Sequence, residues 1–511
     1  MSDWTSGYVA DIGYTYGYYA ELNPLRMVLP LLNAGLAVPT AATACELGFG
    51  QGMSINIHAA GSGIQWFGTD FNPSQAGFAQ ELAHAAGAGA KVYDQAFDEF
   101  ANRADLPEFD FIGLHGIWSW ISDANRRVIV EFLRRKLKVG GVLYVSYNTL
   151  PGWANFAPIR HLMALHAQTM GAPGAGVLAR IDGSLNFTQS MLDVQPSYLR
   201  ANTQMAERFS KVKEQNRHYL AHEYFNQDWH PMYFSDMAKW LAEAKLDYAC
   251  SANMADHVDA LNLTPDQQKL MKSLPDVVFR ESVRDFLLNQ QFRKDYWIRG
   301  ARKLSALEQL EAQRAVRVVL VTHRPDVSLK IAGALGEATM SEAVYTPILD
   351  YLADHKPRTL AQIEQALMGK SITFGQMYQA IMILGSANYI ATVQDEAIVS
   401  KSRKSTTRLN ALLSQKARGS NEISFAASPV IGGAYGLSRF NFLFTEAMSS
   451  GLKQPTELAQ YVWRWIAMQG QSLLKDGKQL TTVEENVAEL TRQAEVFVAK
   501  QAPILKSLQI L

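Results

Sequence analysis

The amino-acid sequence predicts an α/β fold in which a doubly wound, Rossmann-like sheet is followed by a winged-helix domain and a helical C-terminal region. Before Pro151, short apolar runs typical of buried strands alternate with helical patterns, an order that favours a parallel sheet with helices on both faces. A glycine-rich loop follows the first apolar run. Because ligands of such sheets bind beyond the carboxyl ends of the strands, this loop marks the expected site.

The first predicted strand begins at Thr43 and ends in an acid, Glu46, and a helix is predicted from about Met53. Between them the loop carries glycines at every second position, Gly48, Gly50 and Gly52. Glycine allows positive φ and close approach of the backbone to a ligand, since it has no Cβ. The spacing differs from the G-x-G-x-x-G of dinucleotide sites, where a helix N-terminus binds pyrophosphate. An acid directly before the loop instead suits a ligand with a cationic end and no phosphate.

S-adenosylmethionine (SAM) fits this description, because it carries an ammonium, a sulfonium and a ribose. The second predicted strand, Ile64 to Asp70, ends in a carboxylate that can accept both ribose hydroxyls. The third, Lys91 to Asp94, ends in another, and we expect Asp94, with Asp98 in reserve, to face the adenine amino group. We predict SAM as the cofactor, bound by Glu46, Gly48, Phe49, Gly50, Gly52, Asp70, Phe71, Asp94, Ala96, Phe97, His115 and Tyr16.

Strand four is predicted over Phe109 to Leu114 and strand five over Gly141 to Tyr147, with a helix over Asn125 to Leu137 between them. His115 follows strand four, and the carboxyl ends of both strands are expected beside the departing methyl group. Since His115 is the only titratable residue of its loop with an ordinary pKa near neutrality, it is the predicted general base. A structural histidine bonded to the backbone is the alternative.

Further side chains near these strand ends are candidates for the acceptor side. Tyr147 and Asn148 are predicted to hydrogen-bond an incoming amine or hydroxyl, unless they only form a structural turn. Glu223 and Tyr224 are additional candidates. Three tryptophans either belong to the core or form a substrate wall: Trp118, Trp120 and Trp153.

Four motifs give the chain a family resemblance: Glu46-Leu-Gly-Phe-Gly-Gln-Gly, Asp70-Phe-Asn-Pro, Leu114-His-Gly-Ile-Trp-Ser-Trp120 and Ser146-Tyr-Asn-Thr-Leu-Pro-Gly-Trp153. They resemble bacterial class I SAM-dependent methyltransferases with a methyltransferase regulatory domain, a group that includes protein lysine methyltransferases of outer-membrane proteins. The segments 219–224 and 284–293 resemble the regulatory domain, and 428–476 resembles the C-terminal part. The resemblance implies a class I methyltransferase sheet, SAM-dependent transfer and a protein lysine acceptor.

The N-terminal segment departs from this family. Tyrosines alternate with glycines between residues 8 and 22, where the lysine methyltransferases have a Thr-His-Pro start, and a helix is predicted over Leu25 to Leu36. The segment, with Tyr16, either packs on a sheet edge or folds over the cofactor as a lid. The acceptor is therefore either a protein lysine or the hydroxyl or amine of a small metabolite or saccharide. A SAM-binding scaffold without turnover is the alternative outside enzymes.

The predicted domains follow from these patterns. A helical insertion (171–220) is expected to lie over the acceptor side, or else to be a plain connection between elements of the sheet domain. A regulatory segment (210–300) is expected to complete the sheet with a strand over Leu246 to Ala252 and an antiparallel strand over Arg293 to Arg299. The predicted units are the methyltransferase domain 1–302, a linker 303–340 with a β-pair of Val316 to Thr322 and Val327 to Ile331, a winged helix 341–395 and a helical domain 396–511.

Residues 341–395 are predicted to form three helices followed by a strand, the order of a winged helix. Thr359 is a predicted N-cap within this unit. Its third helix, Thr373 to Leu384, has no Lys or Arg, and residues 341–395 hold three bases and five acids. Because phosphate contacts dominate nucleic-acid affinity, we expect docking or dimerisation instead of DNA binding, with a homodimer through the C-terminal domains. A capping box over Thr481 to Glu484 is predicted for the last helix.

Composition excludes several classes. Lys plus Arg and Asp plus Glu are 48 each, so a non-specific polyanion binder is not expected. Two cysteines cannot build a disulfide framework, and no apolar segment is long enough to cross a membrane, so a cytoplasmic protein is expected. His218, His222 and His230 lack the glutamate of a zinc protease motif, and no metal is predicted.

Overall fold

The structure, a computed structural model, describes residues 15–171, 174 and 176–511. Its centre is a seven-stranded sheet in the order β3-β2-β1-β4-β5-β7-β6. The strands are β1 (Thr43–Leu47), β2 (Gln65–Asp70), β3 (Lys91–Asp94), β4 (Phe109–Leu114), β5 (Leu137–Asn148), β6 (Asp247–Ser251) and β7 (Phe292–Ile298).

Strands β1 to β5 are parallel to one another, and β7 is antiparallel to both β5 and β6. This mixed sheet is the class I methyltransferase arrangement. The prediction that residues after 240 supply a sixth strand and an antiparallel seventh is confirmed. Strand β5 begins at Leu137, four residues before the predicted Gly141; its register with β4 shifts between Phe109 and Phe111, and Gly140 has φ +81°.

Apolar side chains alternate between the two faces of the sheet. Phe67, Phe109 and Tyr147 belong to one buried cluster, and Trp66 and Tyr144 belong to the cluster on the other face. Successive side chains of a strand point to opposite faces, so neighbours in sequence serve different cores. The helices next to the first strands are α1 (Val28–Asn33), α2 (Met53–Gly61), α3 (Pro73–Ala86), α4 (Phe97–Ala101) and α5 (Asp123–Lys136).

A helical insertion lies between β5 and β6, as predicted, but it begins before the predicted residue 171 and forms its own small core around Phe156, Met163 and Phe209. Its helices are α6 (Ala157–Thr169), α7 (Val177–Asp193), α8 (Ser197–Ala201), α9 (Met205–Lys213) and α10 (Arg217–Tyr224). The helices that flank β6 and β7 are α11 (Phe234–Ala242), α12 (Asp259–Asn262), α13 (Pro265–Lys272) and α14 (Val277–Leu288).

The predicted β-pair of the linker is wrong. After α15 (Ala306–Ala315), β8 (Arg317–Leu320) does not pair with residues 327–331 but lies between β11 (Arg358–Thr359) and β12 (Ile390–Thr392). Val318 and Leu320 are fully buried there, which fixes the strand in this core. Residues 330–333 instead form a hairpin, β9 (Lys330–Gly333) with β10 (Gly336–Thr339). Three helices complete the unit: α16 (Glu342–Tyr351), α17 (Leu360–Ala366) and α18 (Phe374–Ser386).

The N-cap at Thr359 is present and accepts from the Gln362 backbone N–H. The winged-helix assignment of this unit, its boundaries and a homodimer through the C-terminal region remain predictions.

The C-terminal region packs directly on the methyltransferase sheet domain. All nine residues of α2 are buried, because its outer side faces this region, and Lys416 forms an ion pair with Glu81 at 2.8 Å. The last capping box is shifted by one residue from the prediction, since Thr482 is the N-cap and Glu485 closes the box. The elements are α19 (Glu396–Ala417), β13 (Phe425–Ser428), β14 (Gly433–Gly436), α20 (Arg439–Ser449), α21 (Pro455–Met468), β15 (Leu474–Lys475), β16 (Lys478–Gln479), α22 (Val483–Val496) and α23 (Ala502–Ser507).

Within the described ranges, no helix combines the length and the apolar character needed to cross a membrane.

Candidate active site

A cavity of about 530 Å³ lies at the carboxyl edge of the sheet. It is lined by the segments that follow β1, β2, β3 and β4, by the start of α5, and by α10 with the loop after it. Its lining includes Glu46, Gly48, Phe49, Gly50, Asp70, Phe71, Ala96, Phe97, Asp98, His115, Trp120 and Glu223. The topology therefore places the site where a doubly wound sheet binds its ligands.

The glycine loop requires glycine for both conformation and space. Gly48 has φ +72°, and a Cβ there would lie 2.4 Å from Ile117 Cδ1. The Gly50 N–H donates to Asp70 Oδ2 at 2.9 Å, so the end of β2 holds the loop in place. The Asn72 N–H donates to the other oxygen of the same carboxylate at 3.0 Å. Gly52, the N-cap of α2, is also left-handed but does not line the cavity.

Two buried carboxyl groups give the cavity its electrostatic character. Burial and the neighbouring Asp70 raise the pKa of Glu46 well above its usual range, and Glu46 Oε2 has no hydrogen-bond partner among the residues described. Burial raises the pKa of Asp70 to about 6, although two backbone N–H groups oppose the shift. A ligand with an ammonium group and a ribose would supply what these carboxylates lack. The residues present therefore fit SAM.

Asp94 and Asp98 are the two acids predicted to face the adenine amino group, and only Asp98 lies at the cavity. Asp94 pairs in register with Asp70 but is exposed and absent from the lining, so its assignment is corrected. Asp98, on α4, lines the cavity together with Ala96 and Phe97. The turn after β3 brings the later acid, Asp98, to the cavity in the first turn of α4.

His115 lies at the cavity, but its environment contradicts the reason for making it a base. Its Nδ1 lies 2.8 Å from the Tyr144 hydroxyl, and its ring stacks on Tyr19 with centroids 3.7 Å apart. Burial lowers the pKa of His115 to about 3. The imidazole is therefore neutral at physiological pH and is a weak proton acceptor.

Tyr147 and Asn148 do not reach the cavity. The Tyr147 hydroxyl donates to Asp295 Oδ2 at 2.7 Å on the opposite face of the sheet from Tyr144, and the side chain is fully buried. Its proposed bond to the acceptor is thereby corrected, because the alternation along β5 sends it into the other core. The backbone of Asn148 donates to Ser119 Oγ and accepts from the Met232 N–H, as the structural alternative requires.

The N-terminal tyrosines divide between packing and the cavity. Tyr16 packs edge-on against Phe78 and is absent from the lining, so it is not a cofactor contact. Tyr19, Thr15 and Gly17 line the cavity instead. The predicted residues 8–14 lie outside the described part of the chain.

The tryptophans and histidines differ in whether they line the cavity. Trp118 and Trp153 pack in cores, and Trp120 lines the cavity. His222 also lines it, whereas His218 and His230 are exposed. No group of three or more metal-ligating side chains occurs within the described residues.

Glu223, one of the additional candidates for the acceptor side, lies at the cavity. It lines the cavity from α10, and its backbone carbonyl accepts from Trp120 Nε1 at 3.5 Å. Burial raises the pKa of Glu223 to about 7. Burial and, next, the charge of Glu223 raise the pKa of the neighbouring Tyr219. The sequence signal was an acid in the regulatory motif 219–224, but its burial depends on the fold. Tyr224, the other candidate there, packs against Trp153 and does not line the cavity.

Comparison with known proteins accords with this geometry. Residues 216–299 match the model of a family described as a predicted methyltransferase regulatory domain. The uncharacterized protein sll1526 of Synechocystis is 40% identical over 512 residues, covering 99% of each chain. The chain belongs to the SAM-dependent methyltransferases that carry this regulatory domain.

Two further comparisons concern parts of this methyltransferase and its fold. The uncharacterized protein RP789 of Rickettsia prowazekii is 26% identical over 294 residues, which are 55% of this chain and 51% of that protein. The structure of PKMT2 from Rickettsia typhi in complex with AdoHcy superimposes with a TM-score of 0.67 and 18% identity, covering 95% of this chain and 98% of that one. The likeness in fold to that structure therefore extends over nearly the whole chain.

Proposed function

We propose that this methyltransferase moves a methyl group from SAM to the side-chain amine of a protein lysine. Glu223 is the observation that carries the proposal: burial raises the pKa of this partly exposed carboxyl to about 7, and it lines the same cavity as the glycine loop. The family resemblance of the sequence also favours lysine. Glu46, Asp70 and the loop of Gly48 and Gly50 would hold the cofactor.

The chemistry of the acceptor favours an amine over a hydroxyl. Bound SAM supplies an electrophilic methyl group next to a sulfonium. A lysine ammonium has an ordinary pKa of about 10.4 and must lose one proton to expose its lone pair. A carboxylate with a pKa near 7 can take that proton, whereas an aliphatic hydroxyl is a far weaker acid and needs a stronger base.

The side chains around the cavity bind the acceptor, exclude water and shape the wall. Ionised Glu223 attracts the ammonium and accepts its proton. The rings of Tyr19 and Trp120 exclude water from the cavity, which strengthens the charge interaction. Neutral His115, fixed by Tyr144 and Tyr19, shapes the wall without taking part in proton transfer.

We further propose that the unit of α16, α17 and α18 docks protein and not nucleic acid. It keeps the predicted helix order, and α18 carries no Lys or Arg. Phosphate contacts require such residues.

The test is transfer of radiolabel from SAM into a lysate of the source organism, followed by size fractionation and hydrolysis to amino acids. Asp70→Ala removes a cofactor contact, and Asp105→Ala, an exposed acid paired only with Arg103 among the contacts described, is the matched control. Label recovered as methyl-lysine, lost with Asp70→Ala and kept with Asp105→Ala, supports the proposal. Label confined to small molecules indicates the metabolite or saccharide acceptor, and no label indicates a scaffold.

A further inference from the structure

A second cavity, of about 400 Å³, lies inside the segment that matches the regulatory domain. Its walls come mainly from β6, β7 and α14, and its lining has no residue in common with the SAM cavity. The lining combines charged groups with apolar side chains, among them Met271 and Leu288. Nothing in the proposed methyl transfer uses this space.

One buried arginine faces three carboxyl groups in its wall. Arg293 forms ion pairs with Glu281 at 2.8 Å, Asp285 at 2.6 Å and Asp295 at 2.9 Å. The side chains of the arginine, Asp285 and Asp295 are 6%, 3% and 1% exposed. Three acids and one base leave negative charge in excess, and a buried charge without a partner is costly.

Other cations of the lining do not remove this excess. Arg284 pairs with Asp259, and Lys294 pairs with Glu21 outside the cluster. Lys272 is exposed, and Arg280 donates to the Leu274 carbonyl.

Asp285 shows where a further positive charge is missing. Its Oδ1 accepts from Arg293, whereas its Oδ2 is buried and has no hydrogen-bond partner in the described part of the chain. Burial and the neighbouring acids raise the pKa of Asp285 to about 7, so a proton offsets part of the excess charge. A ligand cation could replace that proton.

We propose that this cavity binds a small organic cation, a primary alkylammonium whose charged group pairs with Asp285 and whose short alkyl chain contacts Met271 and Leu288. The bound charge neutralises the excess around Arg293. The site is also joined to the catalytic sheet, because Asp295 accepts from Tyr147 on β5. The regulatory segment thereby has a ligand site of its own.

The test measures binding of n-butylammonium chloride to the full chain by isothermal titration calorimetry, with n-butanol as the uncharged control probe. Asp285→Asn removes the proposed partner, and Leu288→Trp fills the cavity without changing its charge. Asp259→Asn makes the same charge change at a half-exposed position of the lining. Glu223→Gln removes the carboxyl proposed to bind the lysine ammonium, so it shows whether n-butylammonium binds at that site instead.

The expected result is saturable binding of n-butylammonium but not of n-butanol, kept in Asp259→Asn and Glu223→Gln. The Kd should rise by about tenfold or more in Asp285→Asn, as for loss of a charged hydrogen bond. It should also rise by about tenfold or more in Leu288→Trp, because the indole occupies the space of the ligand. Absence of saturable binding to the wild type overturns the proposal, as does an unchanged Kd in folded Leu288→Trp. If Asp285→Asn does not fold, the Leu288→Trp result decides.

Discussion

The Tyr144 hydroxyl lies 2.8 Å from His115 Nδ1, and this pair joins the middle of β5 to the wall of the SAM cavity. Because burial lowers the pKa of His115 to about 3, the hydrogen bond joins two neutral groups over the whole working pH range. The pair therefore positions the imidazole and does not relay a proton.

Tyr144→Phe should lower kcat by roughly two- to tenfold without adding or removing a limb of the pH profile, as expected for loss of one neutral hydrogen bond. Tyr296→Phe is the control, since that buried hydroxyl donates to the Glu21 carbonyl and not to His115. The measurement is the initial rate of methyl transfer as a function of pH for the wild type and both variants. A loss of about 100-fold with a displaced pH limb would restore His115 as the base.

Glu223→Gln should lower kcat by about 100-fold or more, the range for loss of a general base. Since burial raises the pKa of Glu223 to about 7 in the free protein, the carboxyl is protonated and inactive at lower pH, so wild-type kcat/KM should rise through about pH 7. The Glu223→Gln variant should lack this rise with pH. Glu243→Gln, at an exposed position, is the control, and a variant that keeps both rate and limb contradicts the assignment.

Gly48→Ala should raise the Kd for SAM by about tenfold or more, because the new Cβ forces Ile117 into the cavity. Gly89→Ala is the matched control: its φ is +77° against +72° for Gly48, but a Cβ there meets open space. Both variants carry the same backbone strain, so equilibrium binding isolates the steric effect. Equal Kd values in the two variants would refute it.

Tyr147→Phe should lower the free energy of unfolding by about 1–3 kcal/mol, because it removes a hydrogen bond to the buried carboxyl of Asp295. Methyl transfer by the folded variant should stay close to wild type, since Tyr147 lies outside the cavity. Urea unfolding and kcat/KM measure the two effects separately. Lost activity at unchanged stability would return Tyr147 to the acceptor site.

Much of the sheet could be predicted because its signals are local. Strands β3 and β4 begin and end where the sequence predicted, since each is a short run with strand-forming residues at its centre and turn residues before it. Strand β8 was assigned the wrong partner for the opposite reason. Its apolar run indicates a strand, but its pairing with β11 and β12 depends on chain segments far away in sequence. A nearby run was the only partner that local reasoning could offer.

The sequence by itself determined the sheet and the glycine loop with acids at Glu46 and Asp70, because strand period, glycine freedom and charge are properties of residues in order. Only the tertiary structure decided which side chains share the cavity. Tyr144 and Tyr147 differ by three positions and enter opposite cores, and Glu223 reaches the cavity from a distant helix. Burial also moved the pKa of His115 down and that of Glu223 up, since desolvation disfavours whichever form is charged.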